Sequence, residues 1–295
     1  MSNYINPVRD IFIKFLFGSE ENKDLLLSFI NSVLEDADFP KIVKVYLKNP
    51  FNYKEFSVDK ESILDVKAED EEGTIFNIEV QANDLMYFKN RSLYYWARIY
   101  SGQLKNAEIY EELNPVVSIN LIDGIMFNQL KNCHTCFLLT EKKNPEFVLS
   151  NHLFMHFIEI KKIQNIPLKK ALNQWINYFI NEGRETNMKI LLKDDPIMEK
   201  AHNVYKRFTE DEKLREMYEA REKFRRDLAS QMHVSEQRGI EKGIKKGREE
   251  GRKEGKKENK IETAKAMLAE GLDTDLIIKI TQLAQEVIES LQIRG

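Results

Sequence analysis

Two short alternating segments joined by a glycine-containing loop constrain the fold more than any other feature of the sequence. Ile63–Asp70 and Thr74–Gln81 have apolar side chains at every second position, which is typical of strands with one buried face. The three residues between them, Glu71, Glu72 and Gly73, include a glycine where such a loop needs a left-handed backbone. The pattern predicts a β-hairpin in which Asp70 pairs with Thr74.

The register of this hairpin determines which polar side chains share a face. Continuing the pairing along both strands puts Asp65 opposite Glu79 and Lys67 opposite Asn77, with Gln81 one step further on the same face. Directly opposed residues have Cβ atoms about 5 Å apart. Two carboxylates at that distance can share a divalent cation such as Mg²⁺, which prefers oxygen ligands. The register therefore predicts a candidate metal site.

The alternative is that Asp65, Glu79 and Gln81 are ordinary polar residues on a solvated sheet face, where acidic side chains are common. Two opposed carboxylates repel each other unless a cation or a proton compensates them. Lys67 lies on the same face and could supply that positive charge. The residues alone leave both interpretations open.

The rest of the first 196 residues alternates between helical and strand-like patterns. The apolar spacing predicts helices over 10–34 and 84–105 and after Pro167 and Pro196, and strands over 42–47, 116–122, 136–140 and 154–160. Strands interrupted by a long helix predict an α/β fold, with a sheet of mixed strand direction flanked by helices.

From about residue 197 onwards aromatic residues become rare and charged residues dominate. We therefore predict three parts: a domain over 1–196, a long charged helical extension over 197–260 and a small helical C-terminal module over 261–295. Residues 236–260 contain ten Lys or Arg and six Glu, whereas the whole chain has a net charge of −3. The basic character is thus local.

A glycine occurs at every fourth position of the extension, at Gly239, Gly243, Gly247, Gly251 and Gly255. In a helix these five residues would form one stripe and would cost about 4–5 kcal/mol relative to alanine. Close packing of a second chain along the stripe would offset that cost, and so would DNA lying along the basic surface. A flexible charged linker is the third interpretation.

The module over 261–295 is similar to helix-turn-helix units in the brevity and spacing of its helical segments. Asp273, Asp275 and Glu286 make it poorly suited to gripping phosphate. Oligomerisation is at least as well supported by these residues as DNA reading.

Composition excludes several classes of protein. The 42% hydrophobic residues suffice for a large core, no run of eighteen apolar residues predicts a membrane span, and the N-terminus lacks the pattern of a signal peptide. We therefore expect a cytoplasmic protein. The two cysteines, Cys133 and Cys136, do not form a disulfide framework and suit a reducing compartment.

A second candidate metal site is the pair Cys133 and Cys136 followed by His152 and His156, a spacing that can indicate zinc. The alternation over 154–160 predicts a strand, however. A strand places His152 and His156 about 13 Å apart, too far for one ion. We therefore expect no zinc, and instead cysteines and histidines packed within strands.

Several segments carry a resemblance to a known family. Asp65 with Glu79 and Gln81 resembles the D…ExQ variant of the PD-(D/E)XK nuclease motif, as found in the Rpn family of recombination-promoting nucleases and transposases. Asp10–Gly18, Arg91–Trp96 with Gln103, Asn114–Ile119 and the glycine-spaced tail are similar as well. The resemblance spans nearly the whole chain.

This resemblance implies a restriction-endonuclease-like core that hydrolyses DNA phosphodiesters with Mg²⁺, or with Mn²⁺. By position, Asp65 and Glu79 would be carboxylate ligands, and the Val80 backbone carbonyl would complete the inner shell. Gln81 stands where the wider superfamily has lysine. Its neutral amide can orient water or phosphate, but it supplies no charge and cannot act as a base.

Three basic residues are candidates for DNA contact. Arg91 and Arg98 lie a heptad apart on the helix predicted over 84–105, and Lys67 lies on the candidate metal face. The expected function is a metal-dependent DNA endonuclease linked to recombination or mobile elements. The alternatives are a non-catalytic DNA-binding accessory protein with the nuclease fold, and an interaction protein that forms a homo-oligomer through its helical tail.

Overall fold

The computed structural model describes residues 4–49, 66–81, 85–104, 109–183, 192–193 and 195–292. The contacts divide the chain into two compact units, residues 1–224 and 225–295. Within the described ranges, no helix combines the length and the apolar character that a membrane crossing requires.

A six-stranded mixed sheet lies at the centre of the first unit. Its strands are β1 (Tyr46–Leu47), β2 (Val66–Glu69), β3 (Ile75–Gln81), β4 (Val116–Ile122), β5 (His134–Phe137) and β6 (Leu153–Glu159). Their order is β1-β2-β3-β4-β6-β5, with β3, β4 and β6 parallel and the other pairs antiparallel. The predicted mixed sheet is confirmed.

The hairpin formed by β2 and β3 has the predicted register throughout its described residues. Val66 pairs with Ile78 and Lys67 with Asn77. Asp70 closes the turn, since its side-chain Oδ1 accepts the backbone N–H of Thr74 at 2.8 Å, and Gly73 has the left-handed φ of 89° that the loop requires. Asp65 lies outside the described residues, so its pairing stays a prediction.

Eight α-helices are assigned among the described residues. They are α1 (Asp10–Phe17), α2 (Lys23–Asp36), α3 (Phe88–Ser101), α4 (Lys170–Asn181), α5 (Pro196–Glu210), α6 (Glu212–Ala269), α7 (Thr274–Thr281) and α8 (Gln285–Gln292). The single helix predicted over 10–34 is wrong. Gly18 ends α1, where its N–H bonds to the carbonyl of Lys14 at 2.8 Å, and a short 3₁₀ turn at Glu20–Asn22 precedes α2.

The two faces of the sheet have different coverings. On one face, Phe76, Ile78 and Ile119 pack in the main core with α1 and α2, where Phe17 and Phe29 stack at 4.9 Å. On the other face, Phe88 of α3 packs in a smaller cluster that includes Ile122, Met155 and Phe157. Helix α3 lies in the connection between the parallel strands β3 and β4, and it covers the face that carries Glu79, since Arg91 of α3 contacts Glu79.

The first unit extends past residue 196, where we expected the helical extension to begin. Pro196 occupies the first turn of α5 as predicted, and Asp195 caps it by accepting the N–H groups of Ile197 and Met198. The buried face of α5 carries Met198, Ala201, Val204, Tyr205 and Phe208, all within the main core. These side chains belong to the domain because their 3.6-residue spacing directs them onto α1, α2 and α4.

The second unit contains the C-terminal part of α6, together with α7 and α8. Ala264, Ile277 and Ile288, one from each helix, are fully buried in a small core. The connection between α7 and α8 is three residues long and begins with Gln282 in a left-handed conformation at φ 56°. Two short helices with a tight turn form a helix-turn-helix arrangement.

Helix α6 is continuous over 58 residues and includes the five regularly spaced glycines. A Cβ atom built on any of them would meet no atom of the described chain within 4 Å. None of the described residues therefore covers the stripe at any of its five glycines.

Candidate active site

Strand β3 presents Asn77, Glu79 and Gln81 on the face beneath α3, as the predicted alternation requires. Glu79 is only 7% exposed, and Asn77 is 1% exposed. A carboxylate removed this far from water needs positive charge or hydrogen-bond donors close by. The polar and charged side chains around Glu79 are therefore part of the candidate site.

Arg91 supplies positive charge to this face from the first turn of α3. Its Nη2 lies 3.5 Å from Glu79 Oε1 and donates a hydrogen bond to Gln81 Oε1. The guanidinium also lies over the ring of Phe88, 4.9 Å from the ring centre. The predicted residues Glu79, Gln81 and Arg91 are thus brought together, and Arg91 remains 36% exposed towards solvent.

Strand β4 adds two buried polar side chains that the sequence analysis missed. Asn120 is in register with Glu79 and Ser118 with Asn77, so all four share one sheet face. The Asn120 amide nitrogen donates to the His156 carbonyl at 3.0 Å. The signal was present in the sequence, because Ser118 and Asn120 occupy alternate positions of an otherwise apolar strand.

Two amide oxygens of this face have no hydrogen-bond partner among the described residues. They are Oδ1 of Asn77 and Oδ1 of Asn120, both buried. A buried acceptor without a donor is costly unless a ligand or water satisfies it. Together with the Glu79 carboxylate they form a set of oxygen atoms, the ligand chemistry that Mg²⁺ and Mn²⁺ prefer.

These oxygen atoms are of the type that binds a hard divalent cation, but the set lacks a second carboxylate among the described residues. No group of three His, Cys, Asp or Glu in the described ranges could hold a metal ion. Asp65, which the motif assigns as the second carboxylate, is outside those ranges. Val80, whose carbonyl is the third predicted ligand, is half-buried between Glu79 and Gln81 on the opposite face.

The other two basic candidates differ in their exposure. Lys67 is half-buried on β2, opposite Asn77 and therefore on the candidate metal face. Arg98 is exposed on α3, two turns beyond Arg91. Both positions are compatible with a contact to DNA phosphates at the rim of the site.

Of the four residues with zinc-like spacing, Cys136 and His156 are in contact, with Sγ 3.8 Å from Nε2, whereas His152 and Cys133 have other partners. His152 bonds through Nδ1 to the Tyr100 hydroxyl at 3.0 Å, whereas His156 bonds through Nδ1 to His134 at 3.0 Å. Cys133 donates to the backbone carbonyl of Glu159 at 3.3 Å. Burial lowers the pKa of His156 to about 3, so its imidazole is neutral in the core.

A buried ion pair lies at the end of β6, close to the site. Lys162 Nζ donates to Glu159 Oε2 at 2.6 Å and to the carbonyls of Phe127 and Leu130 at 2.7 and 2.8 Å. The other oxygen of Glu159 accepts the backbone N–H groups of Met126 and Phe127. The pair therefore holds the segment that follows β4 against the sheet.

Comparison with known proteins agrees with the resemblance of the motif. Residues 7–235 match the family described as PD-(D/E)XK nuclease family transposase. Residues 257–292 match the domain described as Rpn/YhgA-like nuclease family, C-terminal HTH domain. No curated protein and no solved structure matches the chain. The first match covers most of the chain and includes Glu79, Gln81 and Arg91, so the protein belongs to the PD-(D/E)XK nuclease family transposases.

Proposed function

We propose that this protein is a metal-dependent DNA endonuclease that hydrolyses phosphodiester bonds, and that it acts in recombination or on mobile elements. The observation that carries the proposal is the buried Glu79 carboxylate. It lies beside Gln81 and Arg91 on a sheet face that also holds two buried amide oxygens without a hydrogen-bond partner in the described part of the chain. Family membership supports the nuclease class.

Glu79, Asp65 and the Val80 carbonyl are the proposed ligands of Mg²⁺ or Mn²⁺. The cation, when bound, polarises a phosphate oxygen and makes water a stronger nucleophile. Gln81 holds its amide next to Glu79 and can orient water or phosphate by hydrogen bonds. It cannot take up the proton of the attacking water, so a solvent molecule or the leaving oxygen must carry that proton.

Arg91 has two chemical roles open to it in this geometry. Its guanidinium compensates the charge of Glu79, and its exposed fraction faces solvent, where a DNA phosphate would bind. A planar guanidinium can serve a carboxylate and a phosphate through different N–H groups. We therefore assign Arg91 to DNA positioning next to the cleaved bond, with Lys67 and Arg98 further out.

The proposal attributes DNA contact to the nuclease unit first. The helix-turn-helix match supports DNA as the partner class. Its second helix, α8, nevertheless carries Glu286 and Glu289 and no basic residue, whereas helices that grip DNA are usually basic. The module therefore suits a role in assembly at least as well as a role in reading DNA.

The test of the endonuclease proposal is cleavage of supercoiled plasmid by the purified full chain. We expect nicking or degradation with Mg²⁺ or Mn²⁺, none with EDTA, and none from an Asp65→Ala variant that keeps its circular dichroism spectrum. A wild-type protein that binds the plasmid but leaves it intact with either ion would instead support a non-catalytic DNA-binding protein.

We also propose that α6 assembles two copies of the chain along its glycine stripe. Glycines every four residues permit close approach of a second helix, and no residue of the described ranges occupies the stripe. Replacing Gly243 and Gly247 with glutamine should lower the mass measured by light scattering to that of a single chain. Glutamine at Lys245 and Arg252, on the opposite face of α6, is the matched control.

A truncated chain provides a second test of the assembly proposal. Removal of residues 236–295 should likewise reduce the number of chains per particle to one, as the glycine substitutions do. An unchanged mass in both would show that neither the stripe nor the C-terminal module joins chains.

A further inference from the structure

Two tyrosines and two arginines alternate along one side of α3. Tyr87, Arg91, Tyr94 and Arg98 follow each other at spacings of four, three and four residues, and this spacing places them on one line of the helix. Tyr87 is the residue before the first turn and has helical dihedral angles, φ −99° and ψ 0°, so it continues the line. We call these four residues the Tyr–Arg stripe.

The tyrosines of the stripe are unusually open to solvent for aromatic side chains. Tyr87 is 66% exposed and Tyr94 is 61% exposed. Two other aromatic residues of the same helix are engaged on the sheet: the Trp96 indole N–H donates to the Val116 carbonyl at 2.9 Å, and the Tyr100 hydroxyl bonds to His152. The exposure of Tyr87 and Tyr94 is thus a property of the stripe and is not shared by the aromatic residues that face the sheet.

The stripe lies directly beside the candidate active site. Arg91 is one of its members and also contacts Glu79 and Gln81. Because Tyr87 and Tyr94 flank Arg91 by four and three residues, each tyrosine lies about one helical turn from Arg91 along the helix axis. A ligand that reaches the site along α3 meets an aromatic face, a positive charge, a second aromatic face and a second positive charge in turn.

We propose that the Tyr–Arg stripe binds an unpaired stretch of DNA strand next to the cleaved bond, with bases stacked on Tyr87 and Tyr94 and phosphates paired with Arg91 and Arg98. The inference rests on the proposed nuclease function and narrows its substrate class to DNA with single-stranded segments. Aromatic rings interleaved with cations are the chemistry by which proteins hold single strands. A continuous duplex keeps its base faces inside the stack, so it can use the arginines only.

The experiment measures binding of the full chain in EDTA, which separates binding from cleavage. The probes are a fluorescein-labelled 20-nucleotide single strand and the 20-base-pair duplex of the same sequence. Tyr87→Leu and Tyr94→Leu keep an apolar side chain and remove the aromatic ring. We expect each to weaken single-strand binding about tenfold and the double variant about a hundredfold, with less than about a twofold change for the duplex.

The control is Leu93→Ala, since Leu93 is 48% exposed on the same helix but is not on the stripe. It should leave binding to both probes unchanged. Equal losses of affinity for the single strand and the duplex, or no loss for either, would overturn the inference. With no loss for either probe, the exposed tyrosines would instead be candidates for contact with a protein partner. The thermal unfolding midpoint of every variant is measured as well, so a folding defect is recognised by a lowered midpoint.

Cleavage assays distinguish this inference from the proposed function. With Mg²⁺, a wild-type protein that cuts plasmid while the tyrosine variants bind single strands normally would overturn the stripe and leave the endonuclease intact. A wild-type protein that prefers single strands through Tyr87 and Tyr94 but cuts no DNA would overturn the endonuclease and leave the stripe intact.

Discussion

Replacing Glu79 with glutamine should lower Mg²⁺-dependent DNA cleavage by about a thousandfold, the loss expected when one charged ligand is removed from a catalytic cation site. Glutamine has the same shape, so it can still accept a hydrogen bond from Arg91 and fill the same space on β3. Because Glu79 is 7% exposed, removing its charge also spares the chain a costly burial, and folding should be unimpaired. The readout is the initial rate of plasmid nicking at saturating Mg²⁺.

The matched control is Glu69→Gln in the paired strand β2. Glu69 is a carboxylate of the same sheet that forms an ion pair with Lys48 at 2.6 Å and is not among the proposed ligands. Its substitution should leave the rate within about twofold of wild type, since a surface ion pair contributes little. A Glu79→Gln variant that keeps a tenth or more of the wild-type rate would contradict the assignment of Glu79.

Replacing Lys162 with methionine should lower the free energy of unfolding by about 3–5 kcal/mol, because it leaves the buried carboxylate of Glu159 without its cation. Glu159 is 0% exposed and Lys162 is 3% exposed, so water cannot take over the role of the ammonium group. The variant also loses two hydrogen bonds to the carbonyls of Phe127 and Leu130. Urea unfolding at pH 7, followed by tryptophan fluorescence, measures the change.

Two further variants separate the charge effect from other causes. Adding Glu159→Gln to Lys162→Met removes the stranded charge and should recover part of the lost stability, because the amide oxygen can still accept the N–H groups of Met126 and Phe127. Lys161→Met changes an exposed neighbour and should alter stability by less than about 0.5 kcal/mol. A loss of stability below about 1 kcal/mol for Lys162→Met would mean that the Glu159–Lys162 pair does not hold the segment after β4 against the sheet.

Features set by neighbouring residues were predicted correctly from the sequence. The period-two alternation and Gly73 specify the hairpin and its register over the described residues, because a shift by one residue would turn every apolar side chain to the wrong face. The bounds of β4 and the start of α5 at Pro196 are local in the same sense. The prediction of one helix over 10–34 was wrong because the apolar periodicity continues on both sides of Gly18. The end of α1 at Gly18 is seen in the structure only.

The composition of the site was decided by the tertiary structure. Asn120 comes next to Glu79 through parallel pairing of strands that lie some forty residues apart, and nothing in either strand specifies that neighbour. Arg91 reaches Glu79 and Gln81 because α3 crosses the same face of the sheet. The sequence by itself determined which side chains of the described hairpin share a face, because strand alternation is local. Which charges and amides surround Glu79 depends on strand order and helix placement, since these arise from packing the whole core.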